Sequence, residues 1–476
     1  FRTSHTNTKV NMLAYKDIAK LVPLDKLKEN LRDFGLHPTN PTQRGTGQRP
    51  DIFFQNLMAE KVYTDKVVDI VQETMDQVGE VLGRNYNVFD YYGAKDADRI
   101  IVIMGSAQNT VQEVVRKLNK HYSTKVGVIK VRVFRPWDAE RFLAAIPDTV
   151  KHMAVLDRTM ETGSVGNPMH LDVVMSIRQS PNPKHKDINI VGGVYGLASK
   201  EFNPGMVKAV FDNLTAVKVK NNFTVGINDD VTHTSLEYDE HFNTTPHTTR
   251  QCVIWGIGGD GSVGNSQQAM NNIGMEAGLE AQVHNYFDAH KEGGVTVSHM
   301  RFGTEKIKSE YLITDGADFV SCSQTAYIRK FDQMLDTIKK GGKFLLNAPF
   351  SSIEEIEQYI PAAVLKKISD FDVKFYILDA SKTASDAGLP SKRLGVAMQA
   401  AFYQLAEVLP PKEGIELMKK DMEKRFAKKG KEIVQANKRA IDLSIERLVE
   451  IDVPESWGDL SPKKNATQTY WGCICG

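Results

Sequence analysis

The chain has 476 residues, 41% of them hydrophobic and 25% charged, an ordinary globular composition with length for about two to four domains. Lys and Arg number 60 against 59 Asp and Glu, so the net charge of +1 gives no basis for binding nucleic acid or a membrane surface. No apolar run reaches the ~18 residues of a spanning helix, and four cysteines exclude a disulfide scaffold.

Residues 1–60 read as connection rather than domain, with a Pro-, Gly- and Thr-rich stretch from Pro38 to Pro50. A helical pattern follows at about 64–82. Arg99–Met104 is a buried strand, Gly105-Ser106-Ala107 a turn, and 108–121 a helix. Strands at Val126–Phe134, Met153–Asp157 and Ile188–Val191 then alternate with helices near 137–145 and 167–178. This alternation implies parallel βαβ units. The pattern restarts after about residue 215. A strand at Gln251–Gly256 runs into glycines, a helix covers about 263–278, and strands follow at 282–287, 295–301, 317–321, 342–346 and 373–378. From Lys392 to Glu450 the pattern is helical, punctuated by Pro410-Pro411 and Gly430.

The segment Gly256-Ile-Gly-Gly-Asp-Gly-Ser-Val-Gly264 lies between a strand and a helix and fits G-x-G-x-x-G in two registers. Glycines let backbone approach a phosphate, and free N–H groups at the following helix N-terminus favour an anion. Ser262 is placed to cap that helix or to meet a phosphate oxygen. A glycine turn required only for packing is the competing reading. Asp288 suits a dinucleotide ribose, whereas His290 and Lys291 suit a second phosphate cluster. In the last helix Asn437 shares an apolar stripe with Val434, Ile441, Ile445 and Leu448, so it needs either a backbone partner or a ligand. Gly105–Asn109 and Asp157-Arg158-Thr159 are weaker candidates at strand ends. Cys252 and Cys322 read as buried, inert thiols, and Cys473-x-Cys475 as at most half of a metal site. His233, His241 and His247 lack zinc-ligand spacing, and no metal site is assigned.

Several strings resemble the pyruvate:ferredoxin (flavodoxin) oxidoreductase family. FRTSH (1–5) is similar to the end of its pyrimidine-binding domain, and RGTGQRPDIFFQ (44–55) to the connector that follows. FDYYGAKDADRIIVIMGSA (89–107), KVGVIKVRVFRPW (125–137), AVLDRTMETGSVGNP (154–168) and VGGVYGLASKEFNPGMVKAVFDNL (191–214) resemble its transketolase C-terminal-like domain. FTVGINDDVTHTSL (223–236), WGIGGDGSVGN (255–265), GGVTVSHMRFG (293–303) and GGKFLLNAPF (341–350) resemble its third domain, which binds coenzyme A. The resemblance implies an α/β fold of two consecutive domains with mainly parallel sheets flanked by helices, then a helical C-terminal region. Expected boundaries are 1–60 for the end of the first domain and linker, 61–215 for the transketolase-like domain, 216–455 for the coenzyme A-binding gamma-type domain, and 456–476 for a tail.

By the same resemblance Gly258, Gly259, Asp260, Gly261, Ser262, His290, Lys291 and Asn437 are the coenzyme A contacts. A further ligand asparagine of the family falls on Gly395. The parent reaction is oxidative decarboxylation of pyruvate to acetyl-CoA and CO2, with electrons passed to ferredoxin or flavodoxin. Thiamine diphosphate, Mg and 4Fe–4S clusters are expected outside this chain, which is expected to be inactive alone. A homodimer in the cytoplasm, or in the hydrogenosome of an anaerobic eukaryote, is expected too. The alternatives are a pyruvate:NADP oxidoreductase or related fusion flavoprotein, and a non-catalytic nucleotide-binding subunit.

Overall fold

A computed structural model describes residues 3–39, 41, 47–287, 294–308 and 310–461. Asp288, His290, Lys291, Cys473 and Cys475 lie outside the described residues. The chain divides into two compact units, one of residues Val10–Tyr195 and Val210–Leu236, the other of Phe1–Lys9, Gly196–Ala209 and Glu237 onward. Strand β1 (Thr6–Thr8) joins the sheet of the second unit.

The first unit is built on seven strands: β2 (Phe89–Gly93), β3 (Arg99–Met104), β4 (Val126–Val131), β5 (His152–Asp157), β6 (Asn189–Val194), β7 (Phe223–Val225) and β8 (Ser235–Leu236). Their order is β2-β4-β3-β5-β6-β7-β8, parallel throughout except for β2 against β4. Ile100, Ile101, Val102 and Ile103 are all fully buried, as a central strand covered on both faces requires. At the end of β5, Asp157 turns its carboxylate onto the next helix (Pro168–Gln179), accepting from the N–H of Met169 at 3.0 Å and of His170 at 3.1 Å. Burial pushes this carboxyl above its ordinary range, and the two N–H donors oppose that shift.

Residues 1–60 hold more structure than a connector. Helices span Tyr15–Leu21, Leu24–Phe34 and Pro50–Thr64, and none contains a buried residue. Phe54 and Tyr63 are 70% and 77% exposed. The apolar residues of Pro50–Thr64 fall on no single face, so there is no 3.6-residue stripe to read from the sequence.

The second unit carries β9 (Arg250–Ile257), β10 (Glu280–Phe287), β11 (Val295–Gly303), β12 (Ala317–Cys322), β13 (Ile338–Asn347), β14 (Lys374–Leu378) and β15 (Val449–Ile451). With β1 they form one sheet in the order β1-β10-β11-β9-β12-β13-β14-β15. Strands β9, β12, β13 and β14 run parallel at its centre, and the outer strands pair antiparallel. Alternate residues feed two cores, one on each face. Trp255, Val320, Phe344 and Phe375 enter one, while Cys252, Phe319, Leu345 and Tyr376 enter the other. The helical C-terminal region is three helices, Leu394–Leu405, Pro411–Phe426 and Lys431–Glu446, broken where the prolines and Gly430 were read. The fold is thus mixed α/β with parallel strands flanked by helices, as expected. No described helix is long and apolar enough to cross a membrane.

Replacing Asp157 by Ala removes both N–H acceptors from a buried helix start. The expected loss is about 1–2 kcal/mol of local stability. Amide exchange in residues 168–179 should accelerate roughly five- to thirtyfold, with the other unit unchanged.

Candidate functional site

Connections leave β9 and β12 toward opposite sides of the sheet, so a crevice opens between their carboxyl ends, the usual ligand position in an open α/β sheet. The glycine-rich turn sits at that place, followed by the helix Ser262–Asn271. Its glycines have separate reasons to be there. A methyl on Gly256 would stand 2.2 Å from Ser262 Oγ and 2.9 Å from Asp260 Oδ2, because the turn folds back over its own strand. Gly259 and Gly261 have φ of 97° and 88° with open space around them.

Asp260 holds this turn from within. Its carboxylate accepts from Ile257 N–H at 3.0 Å, Ser262 N–H at 2.8 Å and Ser323 Oγ at 2.5 Å. Ser323 follows β12, and its own N–H donates to the Trp255 carbonyl, so the two strand ends are tied together. Gly258 N–H donates to the Gly294 carbonyl, and Ser262 Oγ lies 3.0 Å from Thr296 Oγ1. The N–H groups of Gly259, Gly261, Val263 and Gly264 find no acceptor among the described residues. A helix N-terminus with open N–H groups is an anion-binding arrangement, although Asp260 and Thr296 have already engaged both polar groups of Ser262.

Behind the turn is a small cavity of about 30 Å³, walled by Asp260, Ser262, Asn265, Ser321, Ser323 and Gly395 among others. Leu394 also lines a neighbouring crevice of about 450 Å³ over the ends of β12, β13 and β14, where Gln324, Asn347, Asp379 and Lys382 are found. Position 395 is bare for a steric reason. A methyl there would lie 2.3 Å from Asn265 Nδ2, so the amide at this point comes from the 262–271 helix instead.

The structure therefore groups Gly258, Gly259, Asp260, Gly261 and Ser262 on one turn, with Gly395 across the cavity. Asn437 is fully buried in the last helix, where its Nδ2 donates 2.7 Å to the Ile433 carbonyl. Its Oδ1 has no partner among the described residues, and it lines neither cavity. Cys252 and Cys322 are buried. Burial pushes the Cys322 thiol up to about 12 and Cys252 well above its ordinary value, so neither is a thiolate nucleophile at neutral pH. Asn265, Ser323 and Gln399 were missed in the sequence. Ser323 could have been found from its place just past a buried strand, and Gln399 as a lone amide in the apolar run LGVAMQAAFY.

Comparison with known proteins gives the family. The family description "Pyruvate ferredoxin/flavodoxin oxidoreductase" matches residues 251–447, and "Pyruvate:ferredoxin oxidoreductase core domain II" matches residues 97–201. The pyruvate:ferredoxin oxidoreductase of Moorella thermoacetica is 46% identical over 98% of this chain. The chain belongs to the pyruvate ferredoxin/flavodoxin oxidoreductase family. It spans 39% of the length of that Moorella relative. A pyruvate-flavodoxin oxidoreductase of Nostoc is 44% identical over 95% of the chain and 38% of the relative. A pyruvate dehydrogenase (NADP+) of Cryptosporidium parvum is 42% identical over 96% of the chain and 23% of the relative. Among solved structures, pyruvate oxidoreductase subunit PORC of Thermotoga maritima is 20% identical with a TM-score of 0.32, covering 42% of this chain and 98% of that one.

Three steric expectations follow for this family member. Gly256→Ala should lower stability by about 1–3 kcal/mol through overpacking. Gly264→Ala, in a helix with open space at its Cβ, should be neutral or raise stability by up to about 1 kcal/mol; thermal melts compare the signs. Gly395→Ala should be destabilising with Asn265 present and nearly neutral with Asn265→Ala. Melts of the four proteins should give a coupling of about 0.5–3 kcal/mol.

Proposed function

We propose that this chain is the coenzyme A-binding part of an enzyme that oxidatively decarboxylates pyruvate to acetyl-CoA and CO2 and passes the electrons to ferredoxin or flavodoxin. The observation that carries the reading is the braced glycine turn at the crevice between β9 and β12, with open N–H groups at a helix N-terminus beside a cavity. Coenzyme A presents a phosphorylated nucleotide at one end and a slender pantetheine arm ending in a thiol at the other. In this reading the turn residues Gly258 to Ser262 meet the phosphates, with Lys291 and His290 adding positive charge. Asp260 keeps the turn in shape, and its own charge is engaged by three donors rather than facing the phosphates. Asn437 and the Gly395 position belong to the same proposed contact set, with Asn265 supplying the amide at the latter.

What these residues contribute chemically is placement. Holding the thiol in a fixed position relative to the acyl carbon makes transfer effectively unimolecular, a large entropic gain. Thiamine diphosphate with Mg would stabilise the decarboxylated intermediate, and 4Fe–4S clusters would carry the electrons. In this reading both belong to the remainder of the protein, as does a dimeric assembly. The Cryptosporidium relative carries NADP+ in its name, so the dinucleotide alternative has a definite form.

Titration calorimetry of the chain separates the two ligands. Coenzyme A should bind at one site per chain, with NAD and NADP giving no saturable heat. Saturable NADP binding without coenzyme A binding would overturn the assignment.

A further inference from the structure

The larger crevice, of about 450 Å³, lies over the carboxyl ends of β12, β13 and β14. Some of its polar groups are consumed in holding those strand ends. Asn347 Nδ2 donates 2.9 Å to the Ser323 carbonyl, and its Oδ1 accepts 3.0 Å from Ala380 N–H. Thr325 Oγ1 donates 2.6 Å to the Asn347 carbonyl. Others are left open. The half-buried Gln324 amide and the Ser381 hydroxyl bond to no described residue, and neither is sealed in the core. Asp379 is divided between the two kinds. Its Oδ1 accepts 2.9 Å from Lys382 N–H and caps the helix Ala380–Asp386. Its Oδ2 accepts from no described residue and stays accessible on the crevice wall.

The crevice selects by shape and by charge. Ala348, Pro349 and Leu394 give it an apolar side, suited to the face of a flat ring. The Lys382 ammonium lies 3.2 Å from Asp386, so the open Asp379 oxygen is the group that decides the polarity. A carboxylate oxygen repels a phosphate and accepts from an N–H donor. A neutral ring bearing an amino group meets both demands, and the Gln324 amide can pair with ring nitrogens. The position fits as well. Strands β9, β12 and β13 are successive neighbours, so at about 4.8 Å per strand the crevice lies roughly 10 Å from the glycine turn. A nucleotide bridges such a span from its phosphates to its base.

We propose that this crevice receives the adenine base of coenzyme A, with the exocyclic amino group donating to Asp379 Oδ2. This rests on the coenzyme A reading given above and adds where the base goes and which side chain selects it. The glycine turn then holds the phosphates, and the ends of β13 and β14 read the base. One carboxylate starts the helix Ala380–Asp386 with one oxygen and recognises the ligand with the other.

The test uses the whole chain and two ligands, coenzyme A and an analogue with unsubstituted purine in place of adenine. By calorimetry wild type should bind coenzyme A about three- to tenfold more tightly than the analogue. Asp379→Asn keeps an acceptor for the Lys382 N–H, which holds the amide so that its NH2 stands where Oδ2 stood. D379N should bind coenzyme A about three- to tenfold more weakly than wild type and should no longer prefer it to the analogue. A purely structural role would weaken both ligands alike and keep the preference. Wild-type protein supplies a readout that needs no substitution: coenzyme A should slow amide exchange in residues 380–386. If coenzyme A binds but wild type does not separate the two ligands, or D379N keeps the preference, or exchange in 380–386 is unchanged, the crevice assignment is overturned and the coenzyme A reading stands. If wild type binds no coenzyme A, both fall.

Discussion

The carboxylate of Asp260 is the constraint on which the candidate site depends. Three donors converge on it, two from its own turn and one from the end of the neighbouring strand β12. A short glycine-rich segment has many conformations to lose on folding, and its shape must be imposed from outside or from within. Here one side chain imposes it. Its two oxygens fix Ile257 and Ser262, which sets where Gly259 and Gly261 turn and which way their N–H groups point. Its bond to Ser323 then joins the turn to the strand on the far side of the crevice, so the width of that crevice is set by the same group.

A comparison with Asp157 shows why one sheet offers a ligand position and the other a sealed one. Both carboxylates follow a central parallel strand and both address the helix that comes next. Asp157 takes the N–H groups of Met169 and His170, and the position before them is Pro168, which has none. The chain has capped that helix with its own acid. Asp260 takes only the first N–H of its helix, and the N–H groups of Gly261, Val263 and Gly264 around it find no acceptor among the described residues. Two similar strand–acid–helix arrangements thus differ in how much of the helix terminus the protein uses for itself.

Much of this was legible in the sequence, for reasons that can be located. Strands such as Arg99–Met104 and Gln251–Gly256 are short apolar runs buried on both faces, a pattern few other elements produce. The glycine turn could be read because its chemistry is local, five glycines and a serine where a strand passes into a helix. Elements whose identity depends on distant partners were not readable. Strands β7, β8 and β15 are two or three residues long and exist only because a neighbouring strand completes them. The helix Pro50–Thr64 has no apolar stripe to betray it. Asn265 carries no signal in one dimension either, since its meaning comes from Gly395, far along the chain. Asn437 stood out on its apolar stripe, yet half of its amide is already satisfied by its own helix through Ile433.

The close approach of Asn265 to Gly395 makes these positions historically dependent on one another. A side chain can be gained at 395 only after the one at 265 has shrunk or turned away, because both would occupy the same space. Change in the opposite order passes through an overpacked intermediate that selection would remove. While Asn265 keeps this rotamer, position 395 is held to glycine, so a change at one position alters what the other can accept.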